Sequence, residues 1–405
     1  MRQSIKIVYI FLFFLSTFCF FSPIAISLRF FSFLYAILLT PILVYYFPKG
    51  IFSANTLVGK GVILIILSSL LSIMGANLIW NQELLMTLSA TLPMFAYTSF
   101  FFLQKEEIEI PVLEKIILII GLLCAFVQFL SLYIFPDALF VGVDFFSDGR
   151  GFQRILPGGM GFLFLAFFLS LRKIVKEKSR ISIAFFIIFF ISIILSLTRL
   201  YIFAAFVLTL LYTLRKTSVW IKILSVLFII ITLNYLYKTE FVQNLLVLTN
   251  DEIGNNTTEY VRFGSADYYF NEFPPNGLAK IIGSGVNTGE SNFDLSVKFQ
   301  EDQYGYYISD IGFIGLYVRY GLLSIIGYLL IYYIVLFKVG ERYDYAKYYL
   351  FFILINGFSN HATFHPDFIA SLSVAFYIIN KEYLENMEGS EEDLEDEESV
   401  FEEEI

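Results

Sequence analysis

Long apolar runs separated by short charged connections repeat along the chain from Ile5 to Ile379, and one long hydrophilic stretch, from Lys238 to Ser309, interrupts them. A bilayer core about 30 Å thick asks for about 20 apolar residues per helix. On that scale the runs predict twelve spans, some short, at 5–22, 28–47, 61–79, 84–103, 113–135, 157–171, 181–197, 199–214, 219–237, 309–337, 348–358 and 367–380. The expected fold is all-α, a polytopic transmembrane bundle. Its divisions are N-terminal spans over 1–237, a large extracytoplasmic loop over 238–308, C-terminal spans over 309–380 and a tail over 381–405. Residues 181–214 as one helix would be about 51 Å long, too long for that core, so a hairpin turning near Ser196-Leu197-Thr198-Arg199 is expected. Arg2 and Lys6 ahead of the first run resemble a signal peptide without a small-residue cleavage site, which reads as a retained span.

Composition agrees with the pattern: 58% hydrophobic, 19% aromatic and 16% charged residues lie far from soluble-domain usage. The net charge of −9 misleads, because residues 382–405 carry thirteen acids and no Lys or Arg, and removing those thirteen charges leaves +4. Such an acidic run reads as a solvated, disordered cytoplasmic tail. Lys and Arg cluster in alternate connections: Lys49 and Lys60, Lys105 and Lys115, Arg172 to Arg180, Arg215 to Lys222, and Lys338 to Lys347. The positive-inside rule makes these cytoplasmic, with both termini inside and the large loop outside. Cys19 and Cys124 sit in apolar runs and suggest neither a disulfide framework nor a metal site.

That topology collects a set of polar residues on the outer side. Arg199 stands between two apolar runs, where a charge at membrane depth marks function unless it snorkels to the headgroups. Arg150 and Arg154 flank glycines ahead of Leu156-Pro157-Gly158-Gly159. A backbone that approaches closely and guanidinium forks suit phosphate oxygens, with interfacial arginine as the plain alternative. Arg262 opens an amphipathic stretch and is offered either a salt bridge to Asp267 or substrate. Asp310, at the head of the 309–337 run, suits N-capping or base chemistry. Arg319 lies within that run and requires an acid such as Asp310 or a lipid phosphate as partner. His361 and His365 are the chain's two histidines, four apart in a short outer loop. Pro366 and the lack of a suitably placed glutamate argue against a zinc pair, so hydrogen bonding or proton handling is the reading. No metal and no cofactor is expected, and no nucleotide-binding motif points to an ATP-driven pump.

The order of these features resembles the O-antigen polymerase and O-antigen ligase superfamily, over roughly residues 145 to 335. The resemblance rests on Arg150 near glycine before a mid-chain span, the Leu197-Thr198-Arg199 turn, Val261-Arg262 in the outer loop, Gly283-Ser284-Gly285-Val286, and Asp310-Ile311-Gly312-Phe313-Ile314-Gly315. Arg150, ten residues and Gly161 match a spacing described for Wzy-type polymerases. In place of the ligases' His-Asn pair before the post-loop span, this chain has Ser309-Asp310. The resemblance implies an inverting glycosyltransferase at the outer face of a bacterial cytoplasmic membrane, joining polyprenyl-diphosphate-linked repeat units into surface polysaccharide. Arg199, Arg262, Asp310 and His361 are then the expected catalytic residues, with Arg150, Arg154, Arg319 and His365 binding substrate. Expected partners are the lipid-linked glycan and membrane lipid, with a flippase and a chain-length regulator, and no nucleic acid. The alternatives are ligation of a finished glycan to another acceptor, and a lipid-linked oligosaccharide flippase or anion transporter, which should show internal repeats or paired broken helices.

Overall fold

Helix is the only extended regular structure among the described residues of the computed structural model, which covers 3–17, 22–23, 28–135, 137, 139–141, 143–147, 153–215, 217–218 and 258–403. Arg150, Cys19 and the expected span 219–237 lie outside them. The N-terminal half contains α1 (Gln3–Ser16), α2 (Leu28–Pro41), α3 (Phe47–Ser53), α4 (Leu57–Trp80), α5 (Leu84–Thr91), α6 (Ser99–Lys105), α7 (Ile110–Ile134), α8 (Met160–Glu177), α9 (Arg180–Leu195) and α10 (Arg199–Leu214). The hydrophilic loop folds into α11 (Thr258–Asp267), α12 (Gly277–Ile282) and α13 (Asn292–Tyr304). Then come α14 (Gly312–Tyr320), α15 (Leu322–Phe337), α16 (Asp344–Asn356) and α17 (Pro366–Glu403). Among the described residues strands are confined to two short antiparallel ribbons, β1 (Ser22–Pro23) with β2 (Phe140–Val141), and β3 (Val143–Ser147) with β4 (Gln153–Pro157).

Among the described residues four helical segments are long and apolar enough to cross a membrane: Phe30–Ile51, Leu57–Trp80, Leu84–Lys105 and Ile110–Ile134. Four more apolar helices are shorter: α1, α9, α10 and α15. The expectation of twelve spans, some of them short, is therefore met only in its coarser form, an all-α protein with several helices long and apolar enough to cross a membrane. Two departures have local causes. The run 84–103 winds as a 3-10 helix over Leu92–Thr98, where Pro93 lacks an amide to donate. The run 309–337 divides at Gly321 into α14 and α15. The turn at 196–198 is where the length argument put it, with Leu197 in the left-handed region at φ 49°. The acidic segment carries helical backbone, since α17 continues through Glu403.

Charge sorts the two ends of the bundle. At one end Asp344, fully buried, accepts the Tyr212 hydroxyl at 3.1 Å and pairs with Arg215 at 2.5 Å and Lys176 at 2.9 Å. A buried carboxylate is tolerated only with such partners. Lys173 meets Glu114 at 3.0 Å, and Glu382 accepts the Arg342 amide at 2.8 Å. These groups come from the basic connections. The opposite end holds the hydrophilic loop, where Trp80 at the end of α4 stacks between Phe273 and Phe293 at 5.2 and 5.3 Å.

With the basic end inside, a cysteine at Asn292 should react with a membrane-impermeant maleimide in intact cells, and one at Ser390 should not. The reverse labelling pattern would invert the topology.

Candidate functional site

The site is built around the break between α14 and α15. In a continuous helix the Val318 and Arg319 carbonyls would accept from residues 322 and 323; Gly321, at φ 76°, turns the chain away instead. The loop run Gly283-Ser284-Gly285 fills that gap, since the Ser284 and Gly285 amides donate to the Val318 and Arg319 carbonyls, each at 2.8 Å. The fit requires glycine on both sides. Gly283 is at φ 81°, and a Cβ there would lie 2.6 Å from the Gly321 nitrogen and against the Arg319 carbonyl. Gly75 of α4 lets the Gly283 carbonyl approach from the other side. The hydrophilic loop is thus strapped into the bundle, and Arg319 is fixed on the last turn of α14.

Arg319 has an anion-shaped deficit. One Nη donates to Asn287 Oδ1 at 3.4 Å, the guanidinium lies 5.0 Å from the Phe364 ring, and Nε is buried without a hydrogen-bond partner among the described residues. It makes no ion pair among the described residues. Leaving a half-buried guanidinium unpaired costs stability, and the arrangement is relieved by an incoming carboxylate or phosphate. Asn287 holds its place by donating to Asp294 Oδ1 at 3.0 Å, and Lys298 pairs with the same carboxylate at 2.8 Å. Behind them Gln82 donates to the Val286 carbonyl at 2.8 Å and accepts the Ser291 hydroxyl at 2.6 Å. Sequence reading passed over Asn287 and Gln82; the one cue was that Asn287 follows the Gly-Ser-Gly-Val run.

The histidines reach the same place from the connection between α16 and α17. His361 and His365 lie ring to ring at 4.4 Å. His361 Nδ1 is 3.4 Å from the Ser309 carbonyl, so a proton on Nδ1 leaves Nε2 as an acceptor. His365 Nδ1 accepts the Asp367 amide at 3.4 Å. Burial, the neighbouring His365 and Arg319 lower His361 from 6.5 to about 3, and burial with Arg319 lowers His365 to about 4. Both rings are neutral at pH 7. Asp310 does not cap α14; its carboxylate accepts the Ser309 hydroxyl at 3.3 Å, beside His361.

A histidine whose folded pKa is depressed contributes stability that is present above its unfolded value and lost as pH falls through 6.5 toward the folded value. The unfolding temperature should therefore drop between pH 7 and pH 4. The double variant His361→Gln, His365→Gln should flatten that slope in a thermal melt, and an unchanged slope would remove the pair as its source.

Arg319, His361, His365 and Asp310, drawn from three separate segments, thus share one locale. Arg199 begins α10 at the same end of the bundle, two residues before Tyr201, whose ring is 6.1 Å from Phe368 at the start of α17. Arg154 stands on β4 opposite Phe146, just ahead of α8, and the hairpin root is held by Gln128 donating to the Ile155 carbonyl at 2.9 Å. Arg262 is exposed on α11 and does not bridge to Asp267, which accepts from Asn271 at 2.6 Å instead. No group of three or more metal-ligating side chains occurs among the described residues.

Scans against protein-family models and against curated proteins return no match for this sequence.

Proposed function

We propose that this chain is a membrane glycosyltransferase that joins glycan units carried on polyprenyl diphosphate, at the outer face of a bacterial cytoplasmic membrane. The observation that carries the reading is Arg319, a guanidinium without an ion-pair partner among the described residues, held beside two neutral histidines and Asp310 at the loop end of a membrane bundle. Arg319 receives the diphosphate of the donor, and Arg199, which begins α10 at the same end of the bundle, adds positive charge on that side. A hydroxyl of the acceptor unit attacks the anomeric carbon of the donor. The bond from that carbon to the phosphate oxygen breaks, and the lipid diphosphate leaves with the electron pair. Charge grows on the leaving oxygen as the bond breaks, and a preorganised guanidinium in a low-dielectric site stabilises it. The hydroxyl proton passes to His361 Nε2 or to Asp310. Binding of the anion offsets the Arg319 charge that helps depress both histidines, and so strengthens His361 as a base at the moment it is needed.

Transport is the reading that the broken helix favours, because unwound carbonyls at a break can bind a coupling ion. Here the Val318 and Arg319 carbonyls are already taken by Ser284 and Gly285. Purified protein supplied with a defined lipid-linked repeat unit should yield a ladder of longer products. Transfer of a single unit to a different acceptor would favour ligation, and unaltered substrate would overturn both.

A further inference from the structure

Beside Arg319 the outer loop carries a row of aromatic rings that the bond-forming chemistry does not use. Phe299 and Tyr304, both more than half exposed, lie 6.3 Å apart. Tyr304 is 5.5 Å from Tyr306, Tyr306 is 6.0 Å from Tyr268, and Tyr268 is 5.3 Å from Tyr269. The row is supported from beneath by Phe273, 6.0 Å from Tyr268 and stacked on Trp80. Gly264 of α11 leaves room for the Tyr306 hydroxyl, which a Cβ there would meet at 2.6 Å. Among the described residues the hydroxyls of Tyr268, Tyr304 and Tyr306 have no hydrogen-bond partner, whereas Tyr269 donates to the Tyr306 carbonyl at 3.2 Å.

Carboxylates run alongside. Glu272 and Asp302 are exposed and Glu301 is half-buried. Burial raises the Glu301 carboxyl above its usual range, while Arg319 pulls it the other way. Tyr269 feels the same guanidinium. Phe270, next to Tyr269, lies 5.4 Å from Tyr317, two residues before Arg319, so the row begins near the Arg319 site, and it ends in solvent at Phe299 and Tyr304. Aromatic faces match the polarised C–H surface of a sugar ring, and phenolic hydroxyls and carboxylates match its hydroxyls. A lipid-embedded face would not carry Asp302 and Glu301 between Phe299 and Tyr304.

We propose that Phe299, Tyr304, Tyr306 and Tyr268 form a binding track for the glycan, selecting uncharged hydroxylated sugars because Glu272, Glu301 and Asp302 repel acidic ones. The proposal rests on the glycan-joining function for its identification of the ligand. Under it, the track holds sugar units adjacent to the reacting one, so that a growing chain stays bound between additions.

Two measurements on the full chain in nanodiscs separate the track from the chemistry. The probe is glycan released by mild acid from lipid-linked units of cells lacking this protein. Saturation-transfer NMR should show it binding the wild type, and about 10-fold more weakly the double variant Phe299→Ala, Tyr304→Ala, from loss of two stacking faces. With the intact lipid-linked unit, the double variant should give a markedly shorter ladder than the wild type. Equal binding by the two proteins, or no binding by the wild type, overturns the track. Glycan binding without any ladder leaves the track standing and removes the joining reaction. A fluorophore on Tyr304→Cys that shifts to the blue on adding lipid alone would assign the row to the bilayer and overturn the proposal.

Discussion

Arg319→Lys should lower the rate of glycan joining by about 10²-fold while leaving the protein folded, because lysine keeps the charge and loses the fork that two phosphate oxygens require. The guanidinium is directed by Asn287 on one side and the Phe364 ring on the other, with Nε unpartnered among the described residues. A lysine ammonium can keep the ring contact, so the purely structural share of the residue survives the change. The comparison therefore isolates the anion contact. Initial rates with a defined lipid-linked unit, read beside a thermal melt, decide it. A variant that melts normally and works at the wild-type rate would take Arg319 out of the reaction and return Arg199 to first place.

Gly283→Ala should destabilise the protein by about 3 kcal/mol or more, enough to depress yield from membranes. The new methyl would have to enter a left-handed backbone at φ 81° and sit 2.6 Å from the Gly321 nitrogen, with backbone rather than a movable side chain in its way. Gly277→Ala is the matched control. Nothing lies within 4 Å of a Cβ at Gly277, in the first turn of α12, so that change should be neutral or mildly stabilising. Equal melting temperatures for the two variants would show that the strap between the loop and the α14–α15 break is dispensable.

Much of the helix order was legible because burying apolar runs in lipid is a one-dimensional problem. Length alone showed that 181–214 must turn, and helix starts at Arg180 and Arg199 follow it. Length could not show that 309–337 breaks, since Ile, Leu and Tyr continue on both sides of Gly321. The break depends on amides donated from Ser284 and Gly285, a pairing across more than thirty residues that no local pattern carries. The same limit applies to the site. Arg319, His361 and Asp310 were each identifiable as polar groups among apolar ones, yet their meeting is a tertiary fact. Of the two readings of Asp310, N-capping was the one an acid at a helix start suggests, and it is the one that fails. Here its oxygen goes to Ser309 and the α14 amides begin without a side-chain cap.

The most direct test is to count lipid diphosphate released per glycosidic bond, using purified protein and a doubly labelled lipid-linked unit, with Arg319→Lys measured alongside. Glycan joining predicts one lipid diphosphate for each bond formed and a parallel loss of both in the variant. Movement of intact lipid-linked glycan across the membrane with no diphosphate released would contradict it and make this chain a transporter.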